Sequence, residues 1–372
     1  MKNKISVAIT GYYGTGSSAL IDLLKEYDSV KIAAPTEKEY EHIAFYAPGG
    51  LFDLFSIISS GYCSVYNSDM AINNFINISK KLNKDFGWFG AYCKYGSKYL
   101  DITKKFVNEI GHKTGRQSTA HIVKTRFSIF KVFIQIVARI IIKRPINKLG
   151  RIYVYDKNPG YYSMPDKDSF VRATKIYVES FLNMCSTDAD IDVFDHLLWP
   201  QQISLVNQLF PQNFRVIVVD RDPRDVFLLN KYYWFKPMVS MSSPHYQLDV
   251  NKFCDEWLET RKNSQSDLND KILHIKFEDL IYNYDFTKNK IESFLGVNVS
   301  KHCNKNKFFD PSLSIENTQI FMENEGWKQE CEIIEKRLPE YLYSFKYNRR
   351  PNKSLWFDTN AQLTSVKKRK NK

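Results

Sequence analysis

The sequence has no pair of cysteines at metal-ligand or redox spacing. Cys63, Cys93, Cys185, Cys254, Cys303 and Cys331 lie far apart, with no Cys-x-x-Cys among them. That pattern points away from a zinc site or a disulfide framework and towards reduced thiols in a cytoplasmic protein. The histidines form no His-x3-His pair either, so no metal is expected. Long apolar runs free of charge are also lacking. Ile5–Ile9, after Lys2 and Lys4, is too short for a secretory leader, and no Ala-x-Ala site follows it. It reads as a first strand. Lys124–Pro145 is longer, but Ser128, Lys131, Gln135, Arg139 and Lys143 recur along one stripe, which is too polar for a transmembrane span. A helix buried in an insertion with one wet edge is the favoured reading of 124–145. A basic helix lying on an anionic bilayer, giving peripheral membrane association, is the other. Internal repeats are absent, and low complexity is confined to the C-terminal tail.

What is present is apolar and basic. In 372 residues, 43% are hydrophobic and 15% aromatic, enough for a sizeable core in one large domain or two modest ones. The formal charge is +12, of which five belong to the tail Lys367-Lys368-Arg369-Lys370-Asn371-Lys372. The rest is spread along the chain and suits anionic partners such as a nucleotide, an acidic glycan or a membrane surface. Nucleic acid is the least favoured, because no DNA- or RNA-binding module accompanies the charge.

Four apolar runs read as buried strands: Ile5–Ile9, Ile191–Phe194, Val216–Val219 and Ile272–Phe277. Each precedes a turn or charged cluster and then a helical pattern. The class expected is therefore α/β, with a parallel central sheet flanked by helices. Residues 35–185 are aromatic-rich and mostly helical in pattern, and read as a long insertion inside a single domain over 1–348. Residues 349–372 read as a basic, disordered tail.

Within this frame, Thr10–Leu24 is strand, glycine-rich turn and helix. Its spacing, Gly11-x4-Gly16-Ser17-Ser18, is that of a phosphate loop with serine in place of the lysine. Gly14 and Gly16 let backbone approach an anion, Thr15, Ser17 and Ser18 add hydroxyls, and the helix start favours negative charge. Without the lysine, the loop suits one phosphate rather than a triphosphate. An ordinary glycine-rich turn has the same look. A second strand–turn–helix unit, Phe214–Phe235, carries Arg221 at the strand end, where ligands collect in open α/β sheets. A guanidinium there can grip a second phosphate bidentately, or form a structural salt bridge to Asp222 or Asp225.

Together these stretches resemble the sulfotransferases that use 3′-phosphoadenosine 5′-phosphosulfate (PAPS). "VVDRDPRDVFLLNKYYW" is similar to that family's strand-end segment, "HIKFEDL" to its later strand and turn, and His196 follows a strand 25 residues before Arg221. The four elements stand in the family's order. The resemblance implies a P-loop-like sulfotransferase fold and PAPS as donor, leaving 3′,5′-bisphosphoadenosine as product. It implies that Gly14, Thr15, Gly16, Ser17 and Ser18 hold the 5′-phosphosulfate, that Arg221 holds the 3′-phosphate, and that His196 acts as general base on an acceptor hydroxyl. A carbohydrate or lipid-linked glycan is the favoured acceptor. Two positions depart from the family. Gly14 stands where many members have a lysine or arginine, and Leu229 stands where they have serine. Asn230 is the nearest polar replacement, but one helical step turns it by ~100°. Arg349 and Arg350 are further candidates for the nucleotide. Two other readings compete: a P-loop nucleotide or small-molecule kinase, and a catalytically inactive nucleotide-binding protein of the same fold.

Overall fold

A computed structural model describes residues 4–36, 40–61, 63–84, 92–117, 140, 159–163, 166–234, 248–262 and 270–348. The amphipathic stretch 124–145 (but for Ile140), the basic tail, and Arg349 and Arg350 lie outside them. The chain divides into two compact units, Met1–Ile43 with Cys185–Lys372, and Ala44–Met184.

The first unit is built on five strands: β1 (Ile5–Gly11), β2 (Val30–Ile32), β5 (Ile191–Asp195), β6 (Phe214–Asp220) and β7 (Ile272–Lys276). They pair in parallel in the order β2-β5-β1-β6-β7. The expected strands are all present, and the fold is the α/β, P-loop-like class. The short edge strand β2 was not legible, because the alternation of Val-Lys-Ile runs for only three residues, too few to read as a strand. Parallel strands need covering on both faces. On one face, α1 (Ser17–Leu24) buries Leu20, Ile21, Leu23 and Leu24 against Val7, Ile9, Val193 and Ile217. Helix α8 (Tyr284–Leu295) adds Ile291 and Leu295 to this core. A second apolar cluster joins α6 (Pro223–Leu228), α7 (Val250–Arg261) and α9 (Lys328–Arg337) through Phe227, Phe253, Trp257 and Ile334.

The second unit holds helices α2 (Leu51–Ser59), α3 (Val65–Leu82), α4 (Lys98–Ile110) and α5 (Lys167–Cys185). It also holds an antiparallel pair, β3 (His112–Gln117) with β4 (Pro159–Tyr162). Its interior is aromatic. Phe45, Tyr92 and Tyr99 pack on Phe181, and Phe75 and Phe106 pack on Tyr177, with centroids 4.6–6.3 Å apart across the cluster. No helix among the described residues is long and apolar enough to cross a membrane.

One glycine of the phosphate loop is demanded by packing. Gly16 caps α1 with φ +87°, and a Cβ there would stand 2.6 Å from Cδ2 of the buried Phe277. Gly16→Ala combines left-handed strain with a ring clash and is expected to destabilise the protein by about 2 kcal/mol. A denaturant midpoint unchanged from wild type would refute this.

Candidate active site

The sheet order decides which side chains meet. Strand β1 is central, with Ile9 paired to Asp195 on one side and Gly11 to Val219 on the other. The loop leaving β1 is therefore flanked by the residue after β5, His196, and by the residue after β6, Arg221.

The loop is folded by its own polar groups. Thr15 donates both its hydroxyl and its N–H to the Tyr12 carbonyl, at 2.7 and 3.1 Å. Both donors of Thr15 thus close the turn. Gly14 and Gly16 adopt left-handed conformations. No side chain caps α1, so the N–H groups of Ser17 and Ser18 at its first turn have no intrahelical acceptor. Those two N–H groups and the adjacent hydroxyls stand at a helix start, where negative charge is favoured.

His196 is held in a backbone conformation that residues other than glycine rarely adopt, with φ +47°. Such strain costs about 1–3 kcal/mol and collects at functional sites. Its N–H donates to the Ile9 carbonyl at 2.9 Å, which locks it beside the loop. Its Nδ1 is 2.6 Å from Asp195 Oδ1, and Glu41 Oε1 stands 3.9 Å away. This pairing engages Nδ1 and leaves Nε2 outside the Asp195 bond. Burial alone would lower the imidazole's pKa, but the Asp195 bond and the charges of Asp195 and Glu41 outweigh it and raise it above the ordinary value.

The sign sets a pH prediction. A base must be neutral, so kcat/KM should climb with pH through the raised folded pKa, above the usual histidine range near 6.5. Asp195→Asn should move that limb to lower pH and reduce kcat by at least about tenfold. An unmoved limb would remove Asp195 from this role.

Arg221 is buried, its ring-stacked guanidinium 4.8 Å above Phe277. It donates to the Gly14 carbonyl at 3.1 Å and to the Asn317 carbonyl. Among the described residues its buried Nε–H has no hydrogen-bond partner. Arg224, the other arginine of the segment, is occupied structurally. It grips Asp222 at 2.9 and 2.7 Å and Glu335 at 2.8 Å. Asp225 accepts from the N–H groups of Gln319 and Ile320. Neither Asp222 nor Asp225 forms a salt bridge with Arg221 among the described residues. Burial, with the charge of Asp222, pushes the Glu278 carboxyl up to about 8.

Leu229 and Asn230 begin a π-helical turn, Leu229–Trp234. Leu229 packs into the second apolar cluster. Asn230 turns the other way: its Oδ1 would be 3.2 Å from a Cβ on Gly14, and that oxygen is buried with no partner among the described residues. A π turn places side chains differently from an α turn, so Asn230 meets the loop even though it is one position past the serine-equivalent residue.

Other contacts near the loop had no sequence signal. Tyr13 packs on Trp199 at 5.2 Å, and Trp199 meets the His196 ring edge-on at 5.5 Å. Arg261, paired with Asp220, lies 3.6 Å from the Tyr12 ring and 3.3 Å from the Trp257 ring. Among the described residues no cluster of His, Cys, Asp and Glu could hold a metal ion.

A parallel α/β fold with a lysine-free phosphate loop between a histidine and an arginine defines a class of group-transfer protein. The family model described as "Sulfotransferase domain" matches residues 113–326, more than half of the chain. The chain belongs to the sulfotransferase family. Its phosphate loop lies before the matched span. No curated protein matches the chain. Among solved structures it is similar to sulfotransferase STF9 from Mycobacterium avium, at 11% identity over 94% of this chain and 79% of that one, with a TM-score of 0.37. It is also similar to the sulfotransferase domain of the Synechococcus PCC 7002 olefin synthase, at 13% identity over 94% of this chain and 98% of that one, with a TM-score of 0.36.

Proposed function

We propose that this sulfotransferase takes its sulfuryl group from PAPS and transfers it to a hydroxyl of a carbohydrate or lipid-linked glycan. The observation that carries the reading is the pairing of His196 and Arg221 on opposite flanks of one phosphate loop. Gly14, Gly16, Ser17 and Ser18 bind the 5′-phosphosulfate through helix-start N–H groups and hydroxyls, and Thr15 keeps the turn in shape. Arg221 takes the 3′-phosphate through its unpaired Nε–H and remaining donors. Asn230 stands beside Gly14, where the family's cation is missing, and its amide Nδ2–H groups are the donors it offers the phosphosulfate. The acceptor oxygen attacks sulfur, forming the new O–S bond. The bond from sulfur to the 5′-phosphate oxygen breaks, and 3′,5′-bisphosphoadenosine leaves with the electron pair. The acceptor proton passes to His196 Nε2. By analogy with phosphoryl transfer, positioning and charge stabilisation do most of the work.

Calorimetric titration with 3′,5′-bisphosphoadenosine, AMP and magnesium-ATP tests the donor. The bisphosphate is expected to bind about 100-fold more tightly than AMP, the worth of a charge-assisted grip on one more phosphate. Binding of magnesium-ATP alone would overturn the proposal in favour of a kinase.

A further inference from the structure

One buried side chain touches both halves of the candidate anion site. Arg261 is the last residue of α7 and is 2% exposed. Its Nη2 donates to Asp220 Oδ1 at 2.7 Å and its Nε to Oδ2 at 3.1 Å, a bidentate grip on the last residue of β6. Its Cζ lies 3.6 Å from the centre of the Tyr12 ring and 3.3 Å from that of Trp257, one turn earlier on α7. Both distances are within the range of cation–π attraction. Its Nη1 faces its own helix, towards Thr260 Oγ1 at 3.3 Å and the Trp257 carbonyl at 3.5 Å. Arg261 also stands in the wall of a cavity of ≈ 510 Å³, with Tyr12, Trp199 and Trp257. Each of its three nitrogens is engaged by protein, however, so it acts through its neighbours.

Those neighbours shape the two grips of the site. The Tyr12 carbonyl closes the phosphate loop by accepting both donors of Thr15. Asp220 Oδ1, the oxygen nearest Arg261, also accepts the backbone N–H of Arg221 at 2.9 Å. Arg221 in turn donates to the Gly14 carbonyl at 3.1 Å. The contacts thus run in a closed ring from Arg261 to Tyr12, through the loop to Gly14, and back by way of Arg221 and Asp220. We propose that Arg261 is a positioning residue that holds the phosphate loop and the Arg221 strand end at one fixed separation. This rests on the reading above, in which the loop takes the 5′-phosphate end of a nucleotide and Arg221 its 3′-phosphate. Two anions on one ligand have a set spacing, so a site already held at that spacing binds with less ordering to do. A staple that only fastened α7 to the sheet would need the Asp220 pair alone; the Tyr12 contact is what reaches the loop. Lysine would supply the charge, but not the planar fork and the flat face together.

A double-mutant cycle on the full chain, read by calorimetry with 3′,5′-bisphosphoadenosine, tests the role. Arg261→Gln is expected to weaken the bisphosphate about tenfold in the wild-type background, and by less than about twofold when Arg221 is already alanine. A ligand held by the loop alone no longer depends on the separation. Arg261→Lys keeps a cation beside Asp220, which protects folding, and is expected to lose an intermediate factor. Equal losses in the two backgrounds, or none in either, would overturn the proposal, because a residue serving stability alone weakens every background alike. Amide hydrogen exchange of the unliganded protein keeps this apart from the donor reading. Both variants should speed exchange in peptides covering 11–18 and 220–224 and leave 44–61 and 167–184 at wild-type rates. Unchanged exchange at 11–18 and 220–224, or acceleration spread evenly over the chain, would overturn the clasp whatever the ligand. A wild type that binds no bisphosphate, with exchange altered as expected, would sink the PAPS reading and leave the clasp standing.

Discussion

Replacement of His196 by alanine is expected to lower the transfer rate by about 10²–10⁴-fold, the usual worth of a positioned general base, while the affinity for 3′,5′-bisphosphoadenosine stays within about twofold of wild type. The argument is geometric first. His196 follows β5 directly, and its N–H is tied to β1 through the Ile9 carbonyl. Its Nδ1 is engaged by Asp195 at 2.6 Å, which leaves Nε2 for the acceptor proton. Among the described residues His196 contacts Asp195, Glu41, Trp199 and the Ile9 carbonyl rather than Arg221 or α1, so nucleotide binding should survive. His196→Ala also relieves the side-chain part of the left-handed backbone strain only slightly, since alanine shares the penalty. Stability is therefore a useful control. Single-turnover rates with PAPS and calorimetry with the bisphosphate separate the two effects. Normal turnover in the variant would end the assignment of His196 as base. A parallel loss of nucleotide affinity would make its role structural.

Arg221→Ala should instead act on the nucleotide, weakening the bisphosphate by about 100-fold. The comparison with AMP gives this prediction its force. AMP lacks the 3′-phosphate, so losing a 3′-phosphate contact should leave AMP affinity unchanged. Arg221 also donates to the carbonyls of Gly14 and Asn317. If its main duty were to hold the loop against the C-terminal part of the unit, both ligands would weaken together. Arg221→Lys sharpens the test, because it retains the charge but loses the planar fork. An intermediate loss, roughly tenfold, is expected for the bisphosphate. Equal losses for AMP and the bisphosphate would show that Arg221 serves the loop and not the 3′-phosphate.

The strand-end position singled out Arg221 of "DRDPRD", but what occupies the two arginines could not be read from the sequence. Only the fold shows Arg224 locked onto Asp222 and Glu335, and Arg221 with a buried Nε that has no partner among the described residues. The same holds for Leu229 and Asn230. On a regular α-helix, Asn230 points away from the direction of the residue before it. The π turn changes that direction, and no residue in Leu229–Trp234 announces such a turn, while Leu229 packs into the cluster around Phe253 and Trp257. Asp195 was adjacent to His196 in sequence. Neighbouring side chains on an extended strand point to opposite faces, and it is the left-handed φ of His196 that brings them together.

The sequence by itself determined the parts whose signal is local. Apolar runs bounded by turns specified the central strands, and glycine spacing specified the phosphate loop and the helix it opens. Both follow from short-range rules of backbone sterics and periodicity. Tertiary structure alone decided the strand order that puts β1 between β5 and β6, and so sets His196 and Arg221 on either side of the loop. It also decided the cavity walls, drawn from the β1 loop, the segment after β5, the π turn and α7. Those contacts join residues far apart in the chain. They arise from burying apolar faces on both sides of one sheet, a global condition that no local pattern encodes.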